Sequence, residues 1–321
     1  MKPGQSLLAA KVLLSIGLIW YVAAKFDLKQ GLTEFRHVTA GWLVAICFLY
    51  YLQVLAAGLR IREFLDVMGA RISLPRSLDA TLVGYFFSQT FISFVGGDAM
   101  RVYRISQHAI PLALTAKAVV LDRASGFASQ VLLIVVALPF ALPLMQDPAM
   151  RLSLVLLVAL ALAGAVAVIL VSKLPEHLRR LRALDAIADV SGRVLKRIGT
   201  PKGAAAFFGY SIAINLLNIV IFFAIAKGLN IAVGLFHCLV LLPPVFFISM
   251  LPISISGWGV REAAAILALG LVGIPASQAL AVSVTFGLGL MLISLPGGAI
   301  WIISRRRRPT VREPSDAKNQ V

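Results

Sequence analysis

Residues 152–172 read LSLVLLVALALAGAVAVILVS, a stretch without a single charged side chain. Because the hydrocarbon core of a bilayer is about 30 Å thick, a helix needs roughly 20 apolar residues to cross it. Five more runs of this kind lie at 5–24, 41–59, 124–145, 203–227 and 277–303. The first run is long for the apolar segment of a signal peptide, so we interpret it as a retained helix. The sequence therefore predicts an all-α polytopic membrane protein with six full spans.

The composition excludes a soluble enzyme. Of the 321 residues, 60% are apolar, compared with about 45–50% in ordinary soluble domains. The 30 Lys and Arg residues against 14 Asp and Glu give a net charge of +16. In so apolar a chain this excess indicates charges at a membrane face rather than a nucleic-acid surface. The cysteines and histidines show no metal-ligand spacing, so we expect neither a metal nor a cofactor.

The basic residues predict the orientation of the chain. Segments 60–78, 173–202 and 305–321, together with Lys2, contain 19 Lys and Arg residues, whereas the opposite side contains five. Cytoplasmic loops are enriched in these residues, so both termini are predicted to be cytoplasmic. The linker 173–202 is predicted to be a basic amphipathic helix on the anionic leaflet, or a topology signal alone. The tail 305–321 is predicted to be disordered.

Two further apolar stretches, 79–110 and 237–272, are interrupted by glycine and proline. Six full spans return the chain to its starting side only if each of these stretches enters and leaves by the same face. We therefore interpret them as re-entrant helical hairpins, one from each face. Such a pair is typical of an inverted repeat. Residues 1–304 would then form one transmembrane domain.

The two hairpins share a motif. Residues 91–104 (FISFVGGDAMRVYR) and the stretch from 251 (LPISISGWGVRE) align without gaps, and Gly97 and Arg101 lie 160 positions before Gly257 and Arg261. Irregular backbone at membrane depth needs protein or a water-filled cavity to satisfy its hydrogen bonds. We expect the Gly96-Gly97 pair, Pro243, Pro244 and Pro252 to break the helices, and helices to restart at Asp98 and near Gly259.

This motif predicts an anion site. A helix start offers free N–H groups and the positive end of its dipole, and Arg101 and Arg261 would each lie in or near such a start. Each guanidinium can hold a phosphate with two donors. Two helix starts converging from opposite faces therefore predict a phosphate-sized site near the midplane of the membrane.

The charges near this motif support an interior site. Each charge costs about 2.5–3.5 kcal/mol in lipid, so the charged residues in otherwise apolar stretches should face a cavity or one another. They carry a net charge of +1, and they are Asp98, Arg101, Arg104, Asp122, Arg123, Arg261 and Glu262. With Gly97, Gly257 and Trp258 they form the candidate substrate-binding set.

The expected roles within this set differ. Asp98 and Glu262 would orient the two arginines, and Asp122 and Arg123 would line the cytoplasmic opening. Structural alternatives stay open for several members: Asp98 as a helix N-cap, Arg104 and Arg123 as residues at the membrane rim, Glu262 as a simple counter-charge, and Trp258 as an interfacial anchor.

Three runs resemble the lysylphosphatidylglycerol synthase transmembrane-region family: Gly96 to Arg104, Val119 to Gly126 (VVLDRASG), and Leu251 to Glu262. The resemblance covers nearly the whole chain, although Val95 stands where members commonly carry proline. It implies a flippase-like, multi-pass protein of the bacterial cytoplasmic (inner) membrane. In the full-length synthases this region moves an aminoacylated phospholipid between leaflets. Residues 305–321 are too few and too polar for the aminoacyltransferase domain, so we expect the stand-alone form.

The leading functional hypothesis is lipid transport without catalysis. The substrate would be an anionic phospholipid, a polyprenyl-phosphate-type lipid or another polar-headed lipid. One alternative is a non-transporting accessory or scaffold subunit of a lipid- or glycolipid-modifying pathway. Another is an aspartyl-type intramembrane hydrolase that uses Asp98 and Asp122, although neighbouring arginines would keep both carboxylates ionised. The glycine-rich stretch 285–298 fits packing against a second copy, as a homo-oligomer, as well as packing within one chain.

Overall fold

The computed structural model describes residues 39–90, 94–172, 188–189, 191–192, 195–196, 199–251, 253–254 and 256–306. This part of the chain is helical and contains no β-strand. Its helices are α1 (Ala40–Val67), α2 (Leu74–Thr90), α3 (Phe94–Ser106), α4 (Leu112–Ala141), α5 (Pro148–Ser172), α6 (Pro201–Gly228), α7 (Leu235–Met250), α8 (Val260–Gly270) and α9 (Ala276–Arg306). The predicted first span 5–24, most of the linker 173–202 and most of the tail 305–321 lie outside the described residues.

Five helical segments in the described part are long and apolar enough to cross a membrane. They are Ala40–Val67, Leu112–Leu144, Pro148–Ala167, Gly203–Gly228 and Ala276–Ser304. Each overlaps one of the runs identified in the sequence. The main difference is at α4, which begins at Leu112 rather than at residue 124. The all-α polytopic membrane fold is therefore confirmed, whereas the orientation of the chain stays a prediction.

The order of the helices repeats along the chain. A long helix, two short helices and a second long helix (α1 to α4) are followed, after α5, by the same series (α6 to α9). Helix α1 starts at Ala40 and α6 at Pro201, while α2 starts at Leu74 and α7 at Leu235. Both offsets are close to the 160 positions that separate the two copies of the Gly-x-x-x-Arg motif. The internal repeat thus extends over four helices in each half.

The two short-helix pairs lie where the broken stretches were predicted, but the break in the first half lies before Phe94 rather than at the glycine pair. Gly96 and Gly97 are inside α3, which already begins at Phe94, so the expected restart at Asp98 is wrong. Pro243 and Pro244 are inside α7 and do not end it. The restart near Gly259 is confirmed, since Gly259 immediately precedes α8. Glycine and proline mark different features here: close helix contacts in the first half and a tolerated proline pair in the second.

Helices α4 and α9 connect the two pairs. Helix α4 packs against α3 and α7, and α9 packs against α2 and α8. Glycines permit the closest of these approaches. A Cβ atom added at Gly297 would lie 2.0 Å from the carbonyl oxygen of Leu82, and one at Gly298 would lie 2.6 Å from the Phe86 ring. At Gly289 it would lie 2.5 Å from the Tyr50 ring. These glycines of the 285–298 stretch therefore serve packing within one chain.

Candidate anion-binding site

The centre of the first half is a buried carboxylate shared by two arginines. Asp122 on α4 is 0% exposed. Its Oδ1 accepts a hydrogen bond from Nε of Arg60 at 2.7 Å, and its Oδ2 accepts from Nη2 of Arg60 at 3.1 Å and from Nη1 of Arg101 at 2.9 Å. Because Asp122 is fully enclosed by these partners, the expectation that it lines an opening is wrong.

The prediction that segment 60–78 is a basic loop is also wrong at Arg60. Helix α1 continues to Val67, and Arg60 lies on its buried face with Ile61, Phe64 and Leu65. Its Nη1 also donates to the hydroxyl of Ser211 on α6 at 3.2 Å. The bidentate pair with Asp122 therefore joins α1 to α4, and the Ser211 contact adds α6 to the same junction.

Two further arginines in this half hold carboxylates in the same way. Arg123 binds both oxygens of Asp98 at 2.7 and 2.8 Å through Nε and Nη2. Arg104 binds both oxygens of Asp79 at 2.6 and 2.9 Å through the same two atoms, and its Nη1 donates to Ser304 at 3.1 Å. Asp98 lies inside α3 and is an ion-pair partner, so the N-cap alternative is wrong.

Arg101 differs from the other arginines of the first half. Its side chain is buried, with 3% of the residue exposed, and only Nη1 is bound, to Asp122 and more distantly to Asp98 at 3.8 Å. Its Nε and Nη2 have no hydrogen-bond partner among the described residues. Nε and Nη2 form one edge of the guanidinium, and Arg60, Arg104 and Arg123 each use this edge to donate to both oxygens of a carboxylate. An unmatched buried donor costs about 1–3 kcal/mol, so this edge suits an oxyanion.

Arg101 is not at a helix start. It is in the second turn of α3, counted from Phe94, so the positive end of the α3 dipole is not its immediate surrounding. Its position is instead set by α2, because a Cβ atom on Gly84 would lie 2.2 Å from Cγ of Arg101. The bare surface at Gly84 therefore leaves room for the aliphatic part of the arginine.

Arg261 is the equivalent residue in the second half, and its Nε and Nη2 atoms both have hydrogen-bond partners. Its Nε and Nη2 donate to Oε1 of Glu262 at 3.0 and 2.6 Å, and Nε also lies 3.2 Å from the hydroxyl of Ser283. The guanidinium stacks over Trp258 at 4.9 Å and over Phe286 at 5.6 Å. Arg261 is in the first turn of α8, as predicted.

Glu262 does more than neutralise Arg261. Its Oε2 accepts from the backbone N–H of Gly259 at 2.5 Å, which satisfies a donor at the start of α8. Gly257 and Gly259 have φ angles of +78° and +83°, a region that side chains with a Cβ rarely adopt. The irregular loop before α8 thus depends on glycine, and Glu262 ties it to the helix.

The two broken regions touch each other. Ser256 donates its hydroxyl to the carbonyl oxygen of Ser88, near the end of α2. A Cβ atom on Gly97 would lie 1.8 Å from the hydroxyl of the same Ser88. Ser254, 2% exposed, has a hydroxyl without a partner among the described residues. The buried atoms without a partner among the described residues, Nε and Nη2 of Arg101 and the hydroxyl of Ser254, therefore belong to the two regions that meet at Ser88.

The comparison with known families agrees with this architecture. The family model described as "Lysylphosphatidylglycerol synthase TM region" matches residues 8–297. The chain belongs to this family. A search of curated proteins gave no match. In this synthase-TM-family protein the matched range contains both arginine clusters, so the ion pairs described above lie within the region that the family model matches.

The predicted site residues of this synthase-TM-family protein fall into two groups. The first group lies on α3 and α4, and it comprises Gly97, Asp98, Arg101, Arg104, Asp122 and Arg123. The second lies at the start of α8 and in the loop before it, and it comprises Gly257, Trp258, Arg261 and Glu262. Arg101 shares Asp122 with Arg60, whereas Arg261 pairs with Glu262, and the structure describes no partner common to Arg101 and Arg261. That both arginines bind one phosphate stays a prediction.

The sequence patterns did not indicate the roles of several residues of this family member. Arg60 follows the apolar run 41–59, and the signal for its burial is the helical spacing of Ile61, Phe64 and Leu65 after it. Asp79 is one helical turn from Arg76 but pairs with Arg104, 25 positions away. Gly84 and Ser254 carry no local signal, because their importance comes from contacts between distant segments.

Proposed function

We propose that this protein moves a lipid with a phosphate-bearing headgroup between the two leaflets of a bacterial cytoplasmic membrane, and that the phosphate binds at Arg101. The observation that carries the proposal is the Nε and Nη2 edge of Arg101, which is buried and has no partner among the described residues. A phosphate offers two oxygens in the geometry of this edge. The lipid tails would stay in the bilayer while the headgroup passes through the protein.

Charge supports the same ligand. Two buried arginines, Arg60 and Arg101, share one buried carboxylate, Asp122. Among these described side chains one positive charge is uncompensated. A buried charge is costly unless it is paired, so an anionic headgroup would stabilise the cluster. The Arg261 cluster, by contrast, contains one arginine and one glutamate.

These contacts do not favour the alternative of an aspartyl-type intramembrane hydrolase. An aspartyl dyad shares one proton between two adjacent carboxyl groups. Here Asp98 is bound by Arg123 on both oxygens, and Asp122 is bound by Arg60 and Arg101. Each carboxylate is therefore paired with arginine rather than with the other carboxylate. We therefore propose transport rather than intramembrane hydrolysis.

The test is lipid translocation in proteoliposomes that contain the purified full chain. Fluorescent phosphatidylglycerol would be placed in both leaflets, and the fraction reached by a membrane-impermeant quencher would be followed in time. Arg101→Gln removes the charge and the two-donor edge, while Asp122 keeps its bidentate partner Arg60. We expect translocation to slow by about 30-fold or more, because loss of a buried charge pair costs about 2–5 kcal/mol.

Arg71→Gln is the matched control, since Arg71 is 93% exposed in its side chain and pairs only weakly, at 3.6 Å, with Asp66. It should transport at the wild-type rate. Wild-type translocation in the Arg101→Gln variant would remove Arg101 from the site. A wild-type protein that moves no phosphate-bearing lipid would favour the accessory role instead.

A second prediction concerns the glycine beneath Arg101. In Gly84→Ala the new Cβ would lie 2.2 Å from Cγ and 2.6 Å from Cδ of Arg101, and 3.2 Å from the carbonyl oxygen of Gly97. Because Nη1 of Arg101 is hydrogen-bonded to Asp122, the displaced side chain is expected to move the Nε and Nη2 atoms. We expect about 10- to 100-fold slower translocation, as a displacement near 1 Å can have this effect. Gly209→Ala, which meets no atom within 4 Å, should be unaffected.

A further inference from the structure

The two halves of the repeat differ at one charged position. Helices α1 and α6 correspond from end to end, Ala40 to Pro201 and Val67 to Gly228. This register pairs Arg60 with Ile221, which is 0% exposed in an apolar cluster. Without a second arginine, Arg261 forms a one-to-one pair with Glu262. The first half is therefore distinguished by an additional buried cation on α1.

Arg60 controls what Asp122 can do. Both oxygens of Asp122 are held by Arg60, so Arg101 reaches only one of them, and with Nη1 alone. If Asp122 were released, it could turn and grip Nε and Nη2 of Arg101, as Asp98 grips Arg123 and Asp79 grips Arg104. Arg60 thus keeps an internal carboxylate from occupying the edge that would bind the ligand.

Arg60 also accounts for the net charge of the cluster. With it, the three buried side chains Arg60, Arg101 and Asp122 sum to +1, and without it the remaining two sum to zero. The Arg104–Asp79 pair is neutral and changes nothing. Residues 91–93, which lie outside the described part, are Phe, Ile and Ser and carry no charge. One negative charge on a ligand would balance the cluster, whereas a second would be buried without a partner.

We propose that Arg60 is a positioning residue that does not contact the ligand, and that it limits the site to a headgroup with a single negative charge, which is a phosphodiester. This inference rests on the proposed function, because it assumes that the ligand binds at Arg101. Phosphomonoesters and diphosphates carry two or more negative charges near neutral pH, since the second phosphate pKa is about 6. They are expected to be poorer substrates.

The experiment compares two fluorescent lipids with identical tails in proteoliposomes at about pH 8: phosphatidylglycerol, a phosphodiester, and phosphatidic acid, a phosphomonoester. The wild type should move phosphatidylglycerol at least about tenfold faster than phosphatidic acid, since one badly matched buried charge is worth a tenfold factor or more. Arg60→Met should slow phosphatidylglycerol by at least about tenfold, although Arg101 is untouched.

The double variant Arg60→Met/Asp122→Asn separates charge from architecture. It removes both members of the Arg60–Asp122 pair and returns the charge of the three buried positions to +1. The amide oxygen in place of the carboxylate can still accept from Nη1 of Arg101. We expect phosphatidylglycerol translocation to recover to within about threefold of the wild type, with the preference over phosphatidic acid retained. Arg71→Gln again serves as the control for loss of an exposed arginine.

The outcomes are distinguishable. If Arg101→Gln moves phosphatidylglycerol at the wild-type rate, the proposed function fails at this site. If Arg101→Gln is slow but Arg60→Met is not, only the role of Arg60 is overturned. A folded double variant as slow as Arg60→Met, or a wild type that moves both lipids equally, also overturns it. If Arg60→Met alone does not fold, the double variant decides, because it lacks Arg60 but keeps the charge.

Discussion

Asp122→Ala is expected to lower the free energy of unfolding by about 3–5 kcal/mol, the range for removing one partner of a buried ion pair. Asp122 is 0% exposed and provides the only bidentate partner that the structure describes for Arg60. Its removal leaves Arg60 and Arg101 buried together, with Asp98 at 3.8 Å from Arg101 as the remaining nearby carboxylate. Unfolding of the purified protein in mixed micelles by increasing sodium dodecyl sulfate would measure the change.

The control for this variant is Asp66→Ala. Asp66 also pairs with an arginine, but the two side chains are 57% and 93% exposed, so the change should be within about 0.5 kcal/mol. The combination with Arg60→Met provides a further check. If the loss reflects unpaired buried arginines, the double variant Arg60→Met/Asp122→Ala should be more stable than Asp122→Ala alone. A loss below about 1 kcal/mol for Asp122→Ala would contradict the proposed importance of the pair.

Most of the fold could be predicted because the physical requirement is simple. A membrane helix needs about 20 apolar residues, and the described helices that meet this requirement are those that the apolar runs indicated. The repeat was also recognisable, because Gly97 and Arg101 share their spacing with Gly257 and Arg261. The start of α4 was misjudged, since Lys117, Asp122 and Arg123 interrupt its apolar character. These charges are tolerated inside a helix because each has a partner.

The sequence predicted many of the residues of the site but not which of them pair with one another. The residues of the motif could be recognised as unusual by their charge, but their partners come from other helices: Arg60 from α1 for Asp122, Asp79 from α2 for Arg104, and Asp189 for Lys117. Local sequence contains no information on such pairs. The sequence also suggested equal roles for Arg101 and Arg261, because it does not reveal that Arg101 shares Asp122 with Arg60.

Glycine was the most ambiguous signal. Gly96 and Gly97 predicted a helix break because glycine is a poor helix former. In α3, however, Gly97 allows the backbone to approach Ser88 and the carbonyl oxygen of Gly84, where an added Cβ would lie 2.5 Å from the latter. In the second half Gly257 has a positive φ angle and does mark a break. The same residue type therefore meets two physical requirements, and only the contacts distinguish them.

Gly297→Ala is expected to cause the largest loss of stability among the glycine variants. The new Cβ would lie 2.0 Å from the carbonyl oxygen, 2.3 Å from the carbonyl carbon and 2.8 Å from the next backbone nitrogen at Leu82 and Val83. These are backbone atoms of α2, so no side-chain rotation can relieve the clash. Helices α9 and α2 must separate, at a cost of about 3 kcal/mol, the upper part of the usual range for overpacking.

The separation should also reach the site, because α2 carries Gly84, which packs against Arg101, and Asp79, which binds Arg104. We therefore expect Gly297→Ala to lower both the unfolding free energy in mixed micelles and the translocation rate of phosphatidylglycerol. Gly164→Ala is the control, since its Cβ would meet no atom within 4 Å in the middle of α5. There alanine should be neutral or stabilising by up to about 1 kcal/mol through its higher helix propensity. Equal stability of the two variants would show that α2 and α9 do not pack as closely as Gly297 requires.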